Sequence, residues 1–145
     1  MEDYKFIEAI GNNLLQNQTL DPSISFDDIQ KLYSHGYHHF ETGCYEKAIS
    51  VFEKIVALAP FYKEAVYALG MCKYKLQKTS AALRCFEIFN LLAPNDPLGF
   101  LYQSYCLLDL QEHLAAKNNL QKAVSLMKED HPQFLSAKLT LQRIQ

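Results

Sequence analysis

Three histidines, His35, His38 and His39, crowd one short stretch, and Cys44 follows close behind. His35 and His39 stand at i and i+4, which on a helix puts both imidazoles on one face; with a thiolate nearby, that set can bind zinc. A closed zinc site needs further ligands in paired spacing, and no second pair follows. The glutamate of an HExxH metalloprotease is missing as well. His35 also falls one turn from Leu32 on the side expected to pack, so these histidines read as satisfied or partly buried helix residues, and no metal is expected. The remaining thiols, Cys72, Cys85 and Cys106, offer a nucleophile but no base that spacing can pair with them. There is no CxxC pair, so free thiols in a reducing compartment are the simpler reading. No P-loop, dinucleotide fingerprint or nucleophile elbow occurs. We expect a protein that is not an enzyme and carries no cofactor.

The elements that position these residues are those of one folded domain. The chain is 145 residues long, 49% hydrophobic and 21% charged, enough for a continuous apolar core. Net charge is -2 with basic residues scattered singly, which excludes the clustered cationic face that nucleic acid requires. The start, Met1-Glu2-Asp3-Tyr4-Lys5, is polar and acidic, without a basic n-region or an apolar h-region. No apolar run approaches the roughly 18 residues of a membrane span. These features point to the cytoplasm and against direct membrane insertion.

The dominant signal is internal repetition. Shifted by 34 residues, Ala48, Ala82 and Ala116 superpose, as do Phe52, Phe86 and Leu120. Gly36 and Gly70 meet Ser104, a third small residue, and Pro60 meets Pro94, whereas the third copy has Lys128 there. Cys72 and Cys106 also occupy equivalent positions, which favours packing over reactivity. The units are Ile29–Tyr62, Lys63–Asp96 and Pro97–Asp130. A 34-residue period with this pattern is that of the tetratricopeptide repeat, a helix-turn-helix unit. The small residue of the first helix and the alanine of the second let the helices approach where they cross. The large apolar residue one turn beyond the alanine fills the gap, and proline ends the second helix.

Helix ends agree with these boundaries. Ser25 with Asp28 forms a capping box, and Ile24 with Ile29 the hydrophobic staple around it. Asp96-Pro97 is an N-cap followed by proline at the first helical position. Gly43 sits where the first hairpin must turn; the equivalent turns near Gln77 and Gln111 lack glycine and are expected to be less tightly specified. Residues 1–24 make an N-terminal helix and linker, and residues 25–145 a three-repeat domain with a C-terminal capping helix. The apolar face of the first segment, Phe6, Ile7, Ile10 and Leu14, is read as a dimerisation surface or as packing back on the first repeat, and the two stay open. At the far end Phe134, Ala137, Leu141 and Ile144 form the stripe of the cap that a solenoid needs.

In such stacks the first helix of every hairpin lines the concave side. One stripe recurs there: Tyr33, Tyr37 and Phe40, then Tyr67, Met71 and Tyr74, then Leu101, Tyr105 and Leu108. Aromatics at helical spacing are usually core. Here Leu32, Gly36, Leu69 and Gly70 already serve the packing, so the second stripe is read as a peptide-binding groove.

The fuller pattern resembles the class II chaperones of bacterial type III secretion systems. IQKLY at Ile29–Tyr33, FETGCYEKA at Phe40–Ala48, AVYALGMC at Ala65–Cys72 and the long run Asn95–Leu110 carry the resemblance, which covers about residues 25 to 127. It implies a cytoplasmic chaperone of bacterial virulence that holds an extended segment of hydrophobic translocator proteins in the concave groove. The recurring stripe matches the positions that do so. It also implies that the N-terminal segment can serve a homodimer, as many members of that family use it. His35, His38 and His39 depart from the family's small or neutral residues. Two rival binding roles compete with this one. A co-chaperone gripping an acidic heat-shock-protein terminus would need Lys and Asn where Tyr33, Tyr37 and Met71 stand. A repeat scaffold or adaptor joining subunits of a larger assembly is the alternative that remains.

Overall fold

The computed structural model describes residues 17–144, and among them the chain is all helical, without a strand. Three hairpins follow one another: α1 (Phe26–Glu41) with α2 (Tyr45–Leu58), α3 (Lys63–Lys75) with α4 (Thr79–Leu92), and α5 (Pro97–Asp109) with α6 (His113–Leu126). A last helix, α7 (Phe134–Arg143), closes the row. Each helix packs on the next in sequence, and α1 also touches α3, the contact that makes first helices neighbours across hairpins. The tetratricopeptide architecture read from the period is the one observed. The segment containing Phe6, Ile7, Ile10 and Leu14 lies outside the described residues.

The repeat positions explain the packing. Ala48, Ala82, Ala116, Phe52, Phe86 and Leu120 are all completely buried. A Cβ placed on Gly36 would lie 2.8 Å from the Phe52 ring, and one on Gly70 would lie 2.9 Å from the Phe86 ring. Glycine there is what lets a phenylalanine sit between the two helices. In the third hairpin the same register carries Ser104 and Leu120: the small position gains a hydroxymethyl group and its partner position loses an aromatic ring. The buried Ser104 hydroxyl donates to the Leu101 carbonyl 2.5 Å away, so its polarity is satisfied within the helix.

Caps form as the sequence implied. The Ser25 hydroxyl accepts from the Asp28 N–H at 3.2 Å, and the Ser25 N–H donates to the Asp28 carboxylate at 3.0 Å. Those bonds hold the Asp28 carboxyl below its usual range. Asp96 accepts the Leu98 N–H at 3.0 Å ahead of Pro97. Ile24 packs against the cluster that contains Ile29. In α7, Ala137 is fully buried while Phe134, Leu141 and Ile144 lie against Leu101, Leu120 and Ala123.

The hairpin turns correct one expectation. Gly43 has φ 78°, and Gln77 and Gln111 adopt the same left-handed geometry at φ 61° and 63°. All three turns close identically: the left-handed residue donates to Phe40, Tyr74 or Leu108 at 3.0–3.1 Å, and the next residue donates to His39, Lys73 or Leu107 at 2.8–2.9 Å. The glutamines are therefore as tightly specified as the glycine. The paired bonds to the last helical carbonyls outweigh a left-handed cost of about 1–2 kcal/mol. The histidines are a second correction, since His35 and His38 face solvent and only His39 is half-buried.

Candidate functional site

The first helices bring most of the expected stripe together. Tyr33, Tyr37, Phe40, Tyr67 and Met71, joined by Ala68, line a cleft of about 230 Å³ between α1 and α3. Its wall is a stack of rings, with Tyr33 and Tyr37 centroids 6.1 Å apart and Tyr37 and Phe40 6.0 Å apart. Tyr37 is 43% exposed, whereas Met71, at 9%, forms the floor. Tyr33 is anchored from behind by Phe52 at 5.7 Å and Tyr62 at 5.6 Å.

A second aromatic group continues along the same side. Tyr102, which the recurring stripe left out, is its hub: it lies 5.6 Å from Tyr74, 5.6 Å from Tyr105 and 6.3 Å from Tyr67. It also stacks on Phe86 at 5.7 Å. The signal was present in the chain, because Tyr102 and Tyr105 stand three apart on α5 and share a face with Asp109. Leu101, by contrast, is 0% exposed, so it cannot touch a ligand. It sits at the register of Tyr33 and Tyr67, but a leucine ends inside the hairpin, where Leu120, Ala123 and the cap residue Ala137 enclose it. Leu108 is half-buried near the end of α5.

Toward the other end the cleft opens into a smaller one of about 150 Å³ that shares Tyr33 and Tyr67 and adds Phe89 and Leu98. Lys63, Glu64 and Asp96 bring charge to its mouth. Burial pushes the Tyr33 phenol up to about 12, with Tyr62, Glu64 and Tyr37 adding to it. Burial likewise raises Tyr67, helped by Tyr102 and Asp96, and raises Tyr74 and Tyr102. These hydroxyls therefore stay protonated near neutrality and can donate to the carbonyls of an extended peptide. Burial followed by the neighbouring His35, Lys47 and His38 lowers His39, whose ring centroid is 4.7 Å from that of His35. Among the described residues no group of three or more His, Cys, Asp or Glu side chains is placed to hold a metal ion. No helix among them is long and apolar enough to cross a membrane.

Fold and groove together define a class, the tetratricopeptide-repeat proteins with an aromatic concave cleft. No family model matches the chain. Among curated proteins it is similar to the low calcium response locus protein H of Yersinia pseudotuberculosis, 26% identical over 129 residues that span 89% of this chain and 73% of that protein. Among solved structures it is similar to SycD, the type III secretion chaperone of Yersinia enterocolitica, in complex with a peptide of the translocator YopD. There the TM-score is 0.75 at 22% identity, covering 86% of this chain and 93% of the other. PcrH, known from Pseudomonas aeruginosa, in complex with the chaperone-binding region of PopD gives 0.79 at 22% identity, with 83% and 93% covered. The chain thus has the fold of the type III secretion translocator chaperones, the resemblance read from its sequence.

Proposed function

We propose that this protein is a type III secretion chaperone that holds an extended segment of a hydrophobic translocator in its concave cleft. It does so in the bacterial cytoplasm, without catalysis, and keeps the client soluble and competent for secretion. The observation that carries the reading is the run of aromatic rings from Tyr33 to Phe40 and from Tyr67 through Tyr102 to Tyr105, on a face that hairpin packing leaves open. An apolar, hydroxyl-tipped surface of this kind suits a peptide. A client built to enter a membrane must have its apolar segments covered until export. SycD with a YopD peptide and PcrH with a PopD region, both sharing this fold, support the same role here. Dimerisation through Phe6, Ile7, Ile10 and Leu14 belongs to this reading, and light scattering of a variant carrying Ile10→Asp tests it separately.

The central test is fluorescence anisotropy with the YopD peptide and the chaperone-binding region of PopD as probes. Binding is expected, and Tyr37→Ala combined with Tyr105→Ala should weaken it about tenfold or more, since exposed aromatic anchors dominate such interfaces. Folded protein that ignores both probes, or binding indifferent to the two substitutions, would move the assignment to a scaffold joining subunits of an assembly.

A further inference from the structure

A larger cleft lies beyond the aromatic groove, at the end where successive hairpins are joined. It encloses about 720 Å³ and shares Lys63, Asp96 and Leu98 with the mouth of the groove, so the two adjoin. Leu92, Ala93, Leu126 and Met127 line it beside Pro94 and Asn95, and of these four only Leu126 is half-buried rather than buried. Lys128, Asp130 and His131 stand along the rim.

The repeat explains why this space is open. One unit earlier, the residue at the register of Asn95 is Phe61, which packs against the cluster of Val66, Phe89, Leu92 and Ala93. Leu92 and Ala93 are the register equivalents of Leu126 and Met127. Tyr62, at the register of Asp96, lies 5.6 Å from both Phe26 and Tyr33 and packs into the core of the first hairpin. The first junction is thus sealed by two aromatic rings of the chain itself. The second has Leu126, half-buried, where the first has the buried Leu92, and it carries a short amide and a capping carboxylate in place of the two rings.

We infer that this cleft is a second anchor site, taking a large apolar or aromatic side chain of the client just outside the segment held in the aromatic groove. The inference rests on the groove reading above. Phe61 is the template for the occupant: a ring seated on an apolar cluster, with backbone running past toward Tyr33 and Tyr67. The charged rim suits a polar stretch of client on either side of that ring.

The probes are the chaperone-binding region of PopD and versions lengthened at one end or the other by a Gly/Ser spacer bearing a terminal phenylalanine or, as control, glycine. One of the two phenylalanine peptides should bind about tenfold more tightly than its glycine control. Asn95→Phe, which supplies from within the ring that the first junction already has, should abolish that gain while leaving the unlengthened peptide within about twofold of its original affinity. A photoreactive benzoylphenylalanine at position 128, on the rim rather than in the place of the ring, should cross-link the lengthened peptide at its spacer or terminal residue. This readout does not depend on the stability of Asn95→Phe. Absence of any gain from phenylalanine, a gain that survives Asn95→Phe, or cross-links confined to the core peptide would each overturn the second anchor and leave the groove intact. Failure of the unlengthened peptide to bind would remove the groove reading, and the inference with it.

Discussion

The second and third hairpins are built on one register and use it differently. In the second, Gly70 admits Phe86, and Tyr67 reaches past the packed interface to the concave surface, where its ring meets Tyr102. In the third, Ser104 and Leu120 hold the same places, and Leu101 ends inside the hairpin under α7. A position in a repeat is therefore not intrinsically a groove position. It faces the cleft when its side chain is long enough to pass the interface and no cap covers it, and it serves the core otherwise.

The strongest way to break this comparison is Ala82→Glu against Ala116→Glu. Both alanines are completely buried, and a charge at either site has no partner. Ala82→Glu should cost more than about 4 kcal/mol and unfold the array, because the second hairpin has a neighbour on each side. Ala116→Glu should release the third hairpin and α7 while leaving the first two protected. Hydrogen exchange separates the outcomes, and equal global loss from both would show that the third hairpin is not a distinct end unit.

Next in size is the exchange of roles between Leu101 and Tyr37. Leu101→Ala should lower stability by about 2–5 kcal/mol, as truncations of fully buried leucines do. The affinity of the remaining folded protein for the PopD region should be unchanged. Tyr37→Ala should do the reverse, weakening binding with a melting change within about 0.5 kcal/mol. Thermal melts read beside anisotropy decide this, and weak binding by a stable Leu101→Ala variant would return Leu101 to the groove.

A smaller effect sharpens the packing argument. Gly70→Ser should cost about 1–3 kcal/mol by crowding Phe86, and Phe86→Leu alone should also destabilise by leaving a cavity. Together they recreate the third hairpin's pair, and the double variant should lose less than the sum, with a coupling of about 0.5–3 kcal/mol in a chemical-denaturation cycle. Strict additivity would mean that Ser104 and Leu120 are unrelated choices. Smallest of all, Gln77→Gly and Gln111→Gly should each stabilise by about 0.5–1 kcal/mol, since glycine adopts their left-handed geometry without steric cost. A loss instead would show that the glutamine side chains contribute to the turns.

Much of this was legible in the chain because a repeat prints its own register. The alanine and phenylalanine positions, the Ser25–Asp28 box, the Asp96-Pro97 start and the stripe of α7 each depend on local spacing, which sequence shows directly. The misassigned residues depend on what stands across from them. Leu101 matches Tyr33 and Tyr67 in position, and only its shorter side chain under α7 makes it core. Tyr102 falls one place beyond the aligned stripe, so strict superposition of the units passed over it. Gln77 and Gln111 follow backbone geometry imposed by the hairpin against their own preference. The open seat at the half-buried Leu126 is marked by the lack of an aromatic residue, visible only when Asn95 is set beside Phe61.

The thiols carry a further consequence. Cys72, Cys85 and Cys106 are buried, and burial pushes Cys72 and Cys106 up to about 12 and raises Cys85 as well, while Cys44 lies exposed in the first turn. A thiolate-seeking reagent at neutral pH therefore has immediate access to Cys44, and it reaches the others only when their hairpins part. Cys72 and Cys85 belong to the second hairpin and Cys106 to the third, so the molecule carries its own set of clocks. The order in which the three labels appear, with and without a bound peptide, times how each section of the solenoid breathes.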